Sequence, residues 1–178
     1  ESSLLPVLLE MKTKGVRVDI DGAEKIQKDL QIREKKLLEE IRADTGVTVE
    51  PWAAASVAKA FDALGLKYHR TESTDAPSFT KQFLSNHSHP IAKKIVKLRE
   101  FNKANTTFVE TILEHSCNGR IHCDFNPLRS DEGGTVTGRF SSSHPNLQQI
   151  PARDPEIKSM IRGLFLPEEG TQWGSFDY

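Results

Sequence analysis

The chain is poor in several residue types. Among 178 residues there are only two cysteines, two methionines, two tryptophans and two tyrosines. Cys117 and Cys123 cannot build a disulfide framework, which points to a reducing, intracellular setting. No stretch approaches the ~18 apolar residues of a membrane-spanning helix, so no membrane partner is expected. Glu1-Ser2-Ser3 places no basic region ahead of an apolar one, so no signal peptide is expected. An excess of one charge sign is also missing: 24 basic and 25 acidic residues leave a net charge of -1. On average this argues against the basic footprint of a nucleic-acid binder. There is no internal repeat and no low-complexity segment. What is present is a globular composition, 37% hydrophobic and 28% charged. The length suits one ordinary domain, or a domain with a small appendage, and permits roughly 70% of the unfolded surface to be buried. The chain begins with Glu1 and stops at Asp177-Tyr178, and both ends read as cuts through a longer polypeptide.

Hydrophobic spacing divides the chain. Leu4, Leu5, Val7, Leu8 and Met11 predict a short helix stopped by Gly15, and Val16-Arg17-Val18 alternates like a brief strand. Asp19 or Asp21 is placed to cap a long helix to about Thr45, striped by Ala23, Ile26, Leu30, Leu37 and Ile41 and ended by Gly46. Residues 47–90 are choppier. A helix is expected from about Ala53 to Leu64, a loop from His69 to Asp75, and a short helix capped by Ser78. Ile91, Ile95, Leu98, Phe101, Phe108, Val109 and Ile112 mark a second long helix, about 91–116. Two long helices around a choppy insert suggest an antiparallel hairpin with a small helical tip. After Cys117-Asn118-Gly119, residues 120–125 alternate like a strand, and Leu164-Phe165-Leu166 and Trp173 to Tyr178 resemble short strands. The fold class expected is α+β, helical first and mixed afterwards, with a boundary near residue 117.

Two segments carry candidate chemistry. Between Ile91 and Phe108 stand Lys93, Lys94, Lys97, Arg99 and Lys103 against Glu100 alone. Such a basic face can track phosphates, although lysine-rich helices are more often plain solvated surface. The run Thr137-Gly138-Arg139-Phe140-Ser141-Ser142-Ser143-His144-Pro145-Asn146-Leu147-Gln148-Gln149-Ile150-Pro151 has little helix or strand period. It concentrates amide, hydroxyl and guanidinium donors suited to minor-groove acceptors, which every base pair offers. Polar loops of this kind are usually only turns. A zinc site from His115, Cys117, His122 and Cys123 is disfavoured, because adjacent residues on a strand face opposite ways. Trp52 and Trp173 suit packing, and the histidines at 69, 87, 89 and 144 show no partner pattern.

The run from Thr137 to Pro151, followed by Arg162-Gly163-Leu164-Phe165-Leu166-Pro167-Glu168-Glu169-Gly170 and Gly174-Ser175-Phe176-Asp177-Tyr178, closely resembles the DNA polymerase I family, the family A DNA polymerases. That family's pattern is T-G-R-x-S-S-x-x-P-N-L-Q-N-I-P, then a strand ending in D-Y that continues S-Q-x-E. Gly15-Val16-Arg17-Val18-Asp19 and the order of long helices also match. The resemblance covers the whole chain, its last 45 or so residues most specifically. Leu128-Arg129-Ser130-Asp131-Glu132-Gly133-Gly134 resembles phage-type members.

The resemblance implies a palm base over 1–20, a duplex-gripping thumb over 21–116 and the first part of the palm over 117–178. It implies that Asp177 is the first catalytic aspartate and a ligand to two Mg²⁺ ions, with the Tyr178 carbonyl a further ligand. It implies that Arg139 lies beside the primer-terminal pair, that Asn146 and Gln148 read the minor groove, and that Arg153 contacts primer phosphate. Lys103 with Thr106 resembles the thumb's backbone contacts, and Lys97 lies on the same basic stretch. The implied partners are primer–template DNA, a deoxynucleoside triphosphate and the remaining palm and fingers of the polymerase, in the cytoplasm of a bacterium or a phage-infected host. This segment alone is expected to be inactive.

Three departures stand out. Gln149 replaces an asparagine, which puts a template-side contact in doubt. Asn105 replaces a second lysine, which should weaken the thumb's grip. Phe140 replaces leucine, a packing change. A stand-alone duplex-binding module and an interaction hairpin with a vestigial motif remain alternatives, the second opposed by an intact Arg139 and Asp177.

Overall fold

The computed structural model describes residues 4–129, 134–152 and 154–176. Helices and short strands are both present, and the chain forms two compact units, one of residues 1–27 with 106–178 and one of residues 28–105.

The first unit begins with α1 (Leu4–Lys14), which stops at Gly15. Gly15 sits at φ 64°, and a Cβ there would lie 2.6 Å from the Ile121 carbonyl oxygen, so only glycine lets the chain turn this tightly into β1 (Val16–Val18). Asp19 then caps α2 (Ile20–Thr45), its Oδ1 accepting from the Gly22 amide at 2.9 Å, which decides between the two aspartates expected there. After the second unit the chain resumes with α6 (Glu110–His115), β4 (Ser116–Cys117) and β5 (Arg120–Ile121). β4 and β5 form a hairpin whose turn holds Asn118 and Gly119 at positive φ, the conformation that favours Asn-Gly in tight hairpins. β6 (Asp124–Asn126), β7 (Ser141–Ser143), α7 (Pro155–Arg162) and β8 (Phe165–Leu166) complete the unit. The main sheet runs β4-β5-β1-β8, with β1 antiparallel to both neighbours (Val16 opposite Ile121, Val18 opposite Phe165), and β6–β7 is a separate ladder. Val18, Ile121, Ile157, Ile161 and Leu164 are buried in this unit.

The second unit contains most of α2, α3 (Ala54–Ala63), β2 (His69–Arg70), β3 (Pro77–Ser78), α4 (Lys81–Asn86) and α5 (Pro90–Lys103). Its core gathers Ile41, Val57, Phe61, Phe79, Leu84, Ile91, Ile95 and Leu98, with Phe61 4.9 Å from Phe79 between ring centroids. Glu34 bonds Asn102, whereas Glu40 and Asp44 meet Lys94, so numbers rise on α2 as they fall on α5 and the pair is antiparallel. Within this unit α2 and α5 therefore form an antiparallel helical pair.

Several local expectations are corrected. The expected loop at His69–Asp75 instead carries strand β2, paired with β3. Arg70 closes the turn on the Asp75 carbonyl at 2.8 Å, and the Thr71 and Thr74 hydroxyls meet at 2.7 Å. Thr80, not Ser78, caps α4, its hydroxyl accepting from the Phe83 amide. The second long helix is interrupted, because Ala104–Val109 is a π-helical segment between α5 and α6. Periodicity cannot register this turn, since the buried positions 101, 105, 109 and 112 keep a spacing that an α-helix also permits. Of the strand expected over Trp173 to Tyr178, residues 173–176 take no ladder partner among the described residues, and the last two positions lie outside them. α7 went unforeseen although Asp154-Pro155-Glu156 signals it, with Asp154 Oδ1 accepting from the Ile157 amide at 2.9 Å.

Candidate nucleic-acid interface

The polar run after Thr137 is a built loop. Ser142, buried in β7, accepts from the Leu147 amide at 3.0 Å and donates to Asn146 Oδ1 at 3.2 Å. Asn146 Oδ1 also accepts from the Gln148 amide at 3.0 Å, capping a 3₁₀ turn over Leu147–Gln149. Gln148 Nε2 reaches back to the Phe140 carbonyl at 3.2 Å, and Thr135 Oγ1 donates to the Arg139 carbonyl at 2.7 Å. Below the loop, Asn126 Nδ2 bonds the Ser143 hydroxyl at 3.1 Å, and Arg162 holds the Pro151 carbonyl at 3.0 Å. His144 Nδ1 lies 3.1 Å from Asp124 Oδ2, and the Lys12 ammonium pairs with the same carboxylate. Lys12, then His144, holds the Asp124 carboxyl below the usual aspartate range.

This scaffold leaves donors outward. Arg139, Asn146, Gln148 and Gln149 are all exposed. Asn146 uses its oxygen in the loop and keeps its amide nitrogen. Gln148 uses one of the two hydrogens on its nitrogen and keeps the other. The loop can therefore present amide and guanidinium donors to acceptors such as purine N3 and pyrimidine O2. Arg153, Asp177 and Tyr178 lie outside the described residues.

The basic stretch dissolves as a single face. Lys94 bridges Asp44 at 2.8 Å and Glu40 at 3.2 Å, and the Asp44 bond leads in raising its pKa. Arg99 turns inward, donating to the Pro51 carbonyl at 2.6 Å and the Phe79 carbonyl at 2.7 Å, and burial lowers its pKa. Lys97 is half-buried, its ammonium 4.9 Å from the Phe101 ring centroid. Lys93, Lys103 and Thr106 are exposed, whereas Asn105 is buried, so it does not present its side chain to solvent as a gripping residue would.

The histidines have partners the sequence did not signal. His89 caps α5, accepting from the Ile91 amide, His87 accepts from the His89 amide, and His69 packs edge-on to Phe83. Trp52 Nε1 donates to Asn102 Oδ1 at 2.7 Å, a link between residues fifty apart that no local pattern announces. Among the described residues no three His, Cys, Asp or Glu side chains group to hold a metal. His122 bonds the Lys12 carbonyl, and the buried Cys123 thiol is pushed up by burial, which disfavours the thiolate a metal requires. Among the described residues no helix is long and apolar enough to cross a membrane.

A family model for DNA polymerase family A matches residues 20–178. A DNA-directed DNA polymerase of Pseudomonas phage M6 is 39% identical, covering 100% of this chain and 28% of the relative. The DNA polymerase DpoZ of Acinetobacter phage SH-Ab 15497 is 34% identical over 99% of this chain and 31% of its own length. The thermostable DNA polymerase I of Thermus aquaticus is 33% identical over 100% of this chain and 21% of its own length. Among solved structures, the POL domain of Pol1 from M. smegmatis, in complex with DNA primer-template and dNTP, superposes with a TM-score of 0.77 at 26% identity, covering 92% of this chain and 28% of that one. The chain thus spans less than a third of the relatives it matches. With the family model covering most of its length and its motif loop built as a donor platform, the chain belongs to DNA polymerase family A.

Proposed function

We propose that this chain is the thumb and first palm segment of a DNA-directed DNA polymerase, one that extends a primer with deoxynucleoside triphosphates. The thumb is assigned to residues 21–116, the palm base to 1–20 and the first part of the palm to 117–178. The observation that carries the reading is the Thr137–Ile150 loop, whose internal hydrogen bonds leave Arg139, Asn146, Gln148 and Gln149 exposed as donors. Donors aimed at minor-groove acceptors grip any sequence, as a polymerase must. The neighbour bound to primer-template and dNTP supports DNA and nucleotide as partners.

In this reading Arg139 lies beside the primer-terminal pair, Arg153 meets primer phosphate, and Lys103, Thr106 and Lys97 contact the duplex backbone. Asp177 and the Tyr178 carbonyl are assigned to Mg²⁺, which supplies charge stabilisation at the transferred phosphate in two-metal transfer. Magnesium dehydrates reluctantly and needs further carboxylates or substrate phosphates beside one aspartate. The remaining palm and fingers are therefore required partners, and the segment alone is inactive.

The test is primer extension with this chain mixed with the remainder of the polymerase, from Ser-Gln-x-Glu onward. Incorporation is expected only with both parts and Mg²⁺. Asp177→Asn should abolish it while duplex binding persists. Extension by this chain alone, or full activity with Asp177→Asn, would overturn the assignment.

A further inference from the structure

Trp52 stands in a groove of about 250 Å³ within the unit of residues 28–105, beside Lys81, Val96, Arg99, Glu100 and Lys103. Trp52 is 57% exposed, yet the one polar atom of its side chain is already committed. Nε1 donates to Asn102 Oδ1 at 2.7 Å, and Asn102 Nδ2 in turn donates to Glu34 Oε1 at 2.8 Å. The Arg99 guanidinium lies 5.4 Å from the ring and is itself pinned by the Pro51 and Phe79 carbonyls. The ring is thus oriented twice over, by a hydrogen bond at its edge and by a fixed cation, and what it offers outward is apolar surface. The groove's charges are Lys81, Arg99 and Lys103 against Glu100, a positive balance. Lys81 and Lys103 are both exposed, and of the two Lys81 is paired, with Glu100 at 3.0 Å.

A pre-oriented aromatic ring beside an exposed ammonium suits a nucleic-acid backbone, which alternates apolar sugar with anionic phosphate. In a duplex the base faces are stacked on one another, so along the backbone the C–H surface on offer is the deoxyribose. We propose that Trp52 is a sugar-packing contact for duplex DNA, a deoxyribose lying on the indole while a neighbouring phosphate pairs with Lys103. This rests on the duplex-gripping role given to Lys103 and deepens it. The contact releases no counterion, so it strengthens binding equally at every salt concentration. Lys103 by contrast contributes about one unit of salt slope.

The chain has two tryptophans, so Trp173→Phe makes Trp52 the sole reporter. The full chain carrying Trp173→Phe is titrated with a short blunt DNA duplex while indole emission is followed. Saturable quenching is expected. Trp52→Ala should weaken duplex binding about tenfold, with the salt slope unchanged. Trp52→Phe, which keeps a ring but not the donor, should recover most of the loss, and far-UV circular dichroism establishes that each variant is folded. Duplex binding with unaltered Trp52 emission, or full affinity in Trp52→Ala, would overturn this contact while leaving the duplex-gripping reading in place. Stronger quenching by the single strand than by the duplex would replace sugar packing with base stacking and overturn it as stated. Failure of the parent chain to bind duplex at all would overturn the gripping reading, and this contact with it.

Discussion

Replacing Arg99 with methionine isolates the most informative side chain of the helical hairpin. Its guanidinium ties the Pro51 carbonyl at 2.6 Å and the Phe79 carbonyl at 2.7 Å to α5, fastening two loops to one helix. A hydrogen bond from a charged donor contributes about 1.5–3 kcal/mol. The cation over the Trp52 ring adds about 0.5–1 kcal/mol where water retains access. Against these stands the cost of taking the charge partly out of water, the same burial that lowers the pKa of Arg99. Taking both bonds at their lower end, with desolvation offsetting the ring contact, gives a net loss of about 3 kcal/mol in Arg99→Met. Methionine preserves the aliphatic packing, so the loss reports the bonds. Arg99→Lys should lose about half as much, because an ammonium lacks the planar fork that reaches two carbonyls at once. Urea unfolding followed by far-UV circular dichroism measures both, with the midpoint falling and the slope m unchanged. If cooperative unfolding spans the chain, the melting temperature should drop by about 6–12 °C in Arg99→Met. A change under about 0.5 kcal/mol, the range of an ordinary surface substitution, would refute the reasoning. The salt dependence of duplex binding should be the same in Arg99→Met as in the parent, since this cation faces inward.

Gly15→Ala should destabilise the chain by at least 1–2 kcal/mol, the approximate cost of a left-handed residue bearing a Cβ, with the close approach to the Ile121 carbonyl adding to it; thermal melting checks this. Lys103→Glu should flatten the salt slope of duplex binding, whereas Lys94→Glu should lower stability and leave the slope alone, because Lys94 is held by Asp44 and Glu40. Asp124 has its pKa depressed below its ordinary 3.8 by Lys12 and His144, so its contribution is fully present above that value and is lost as pH falls through the lower folded-state one. Stability measured against pH should therefore lose part of its acid slope below about pH 4 in Asp124→Asn, and an identical acid profile would dismiss the Lys12–Asp124–His144 cluster.

The parts legible in the sequence are those that depend on neighbours in the chain. The stripes Ala23–Leu30–Ile41 and Ile91–Ile95–Leu98 require a buried helix face, Asp19 and Gly46 punctuate α2 by local hydrogen bonding, and the Thr137–Pro151 motif marks the candidate interface. What tertiary structure alone decided is where each polar group spends its hydrogen bonds. Five bases within eleven positions promise one cationic face, yet Arg99 is drawn to two loop carbonyls and Lys94 to two carboxylates on α2. The histidines that showed no pattern became a helix cap, a ring contact and a carboxylate partner. The π turn at Ala104–Val109 kept a spacing that an α-helix shares. The reason is physical. Hydrophobic period is written into successive residues, whereas a buried cation or a capping ring is committed by groups that meet only after the chain has folded.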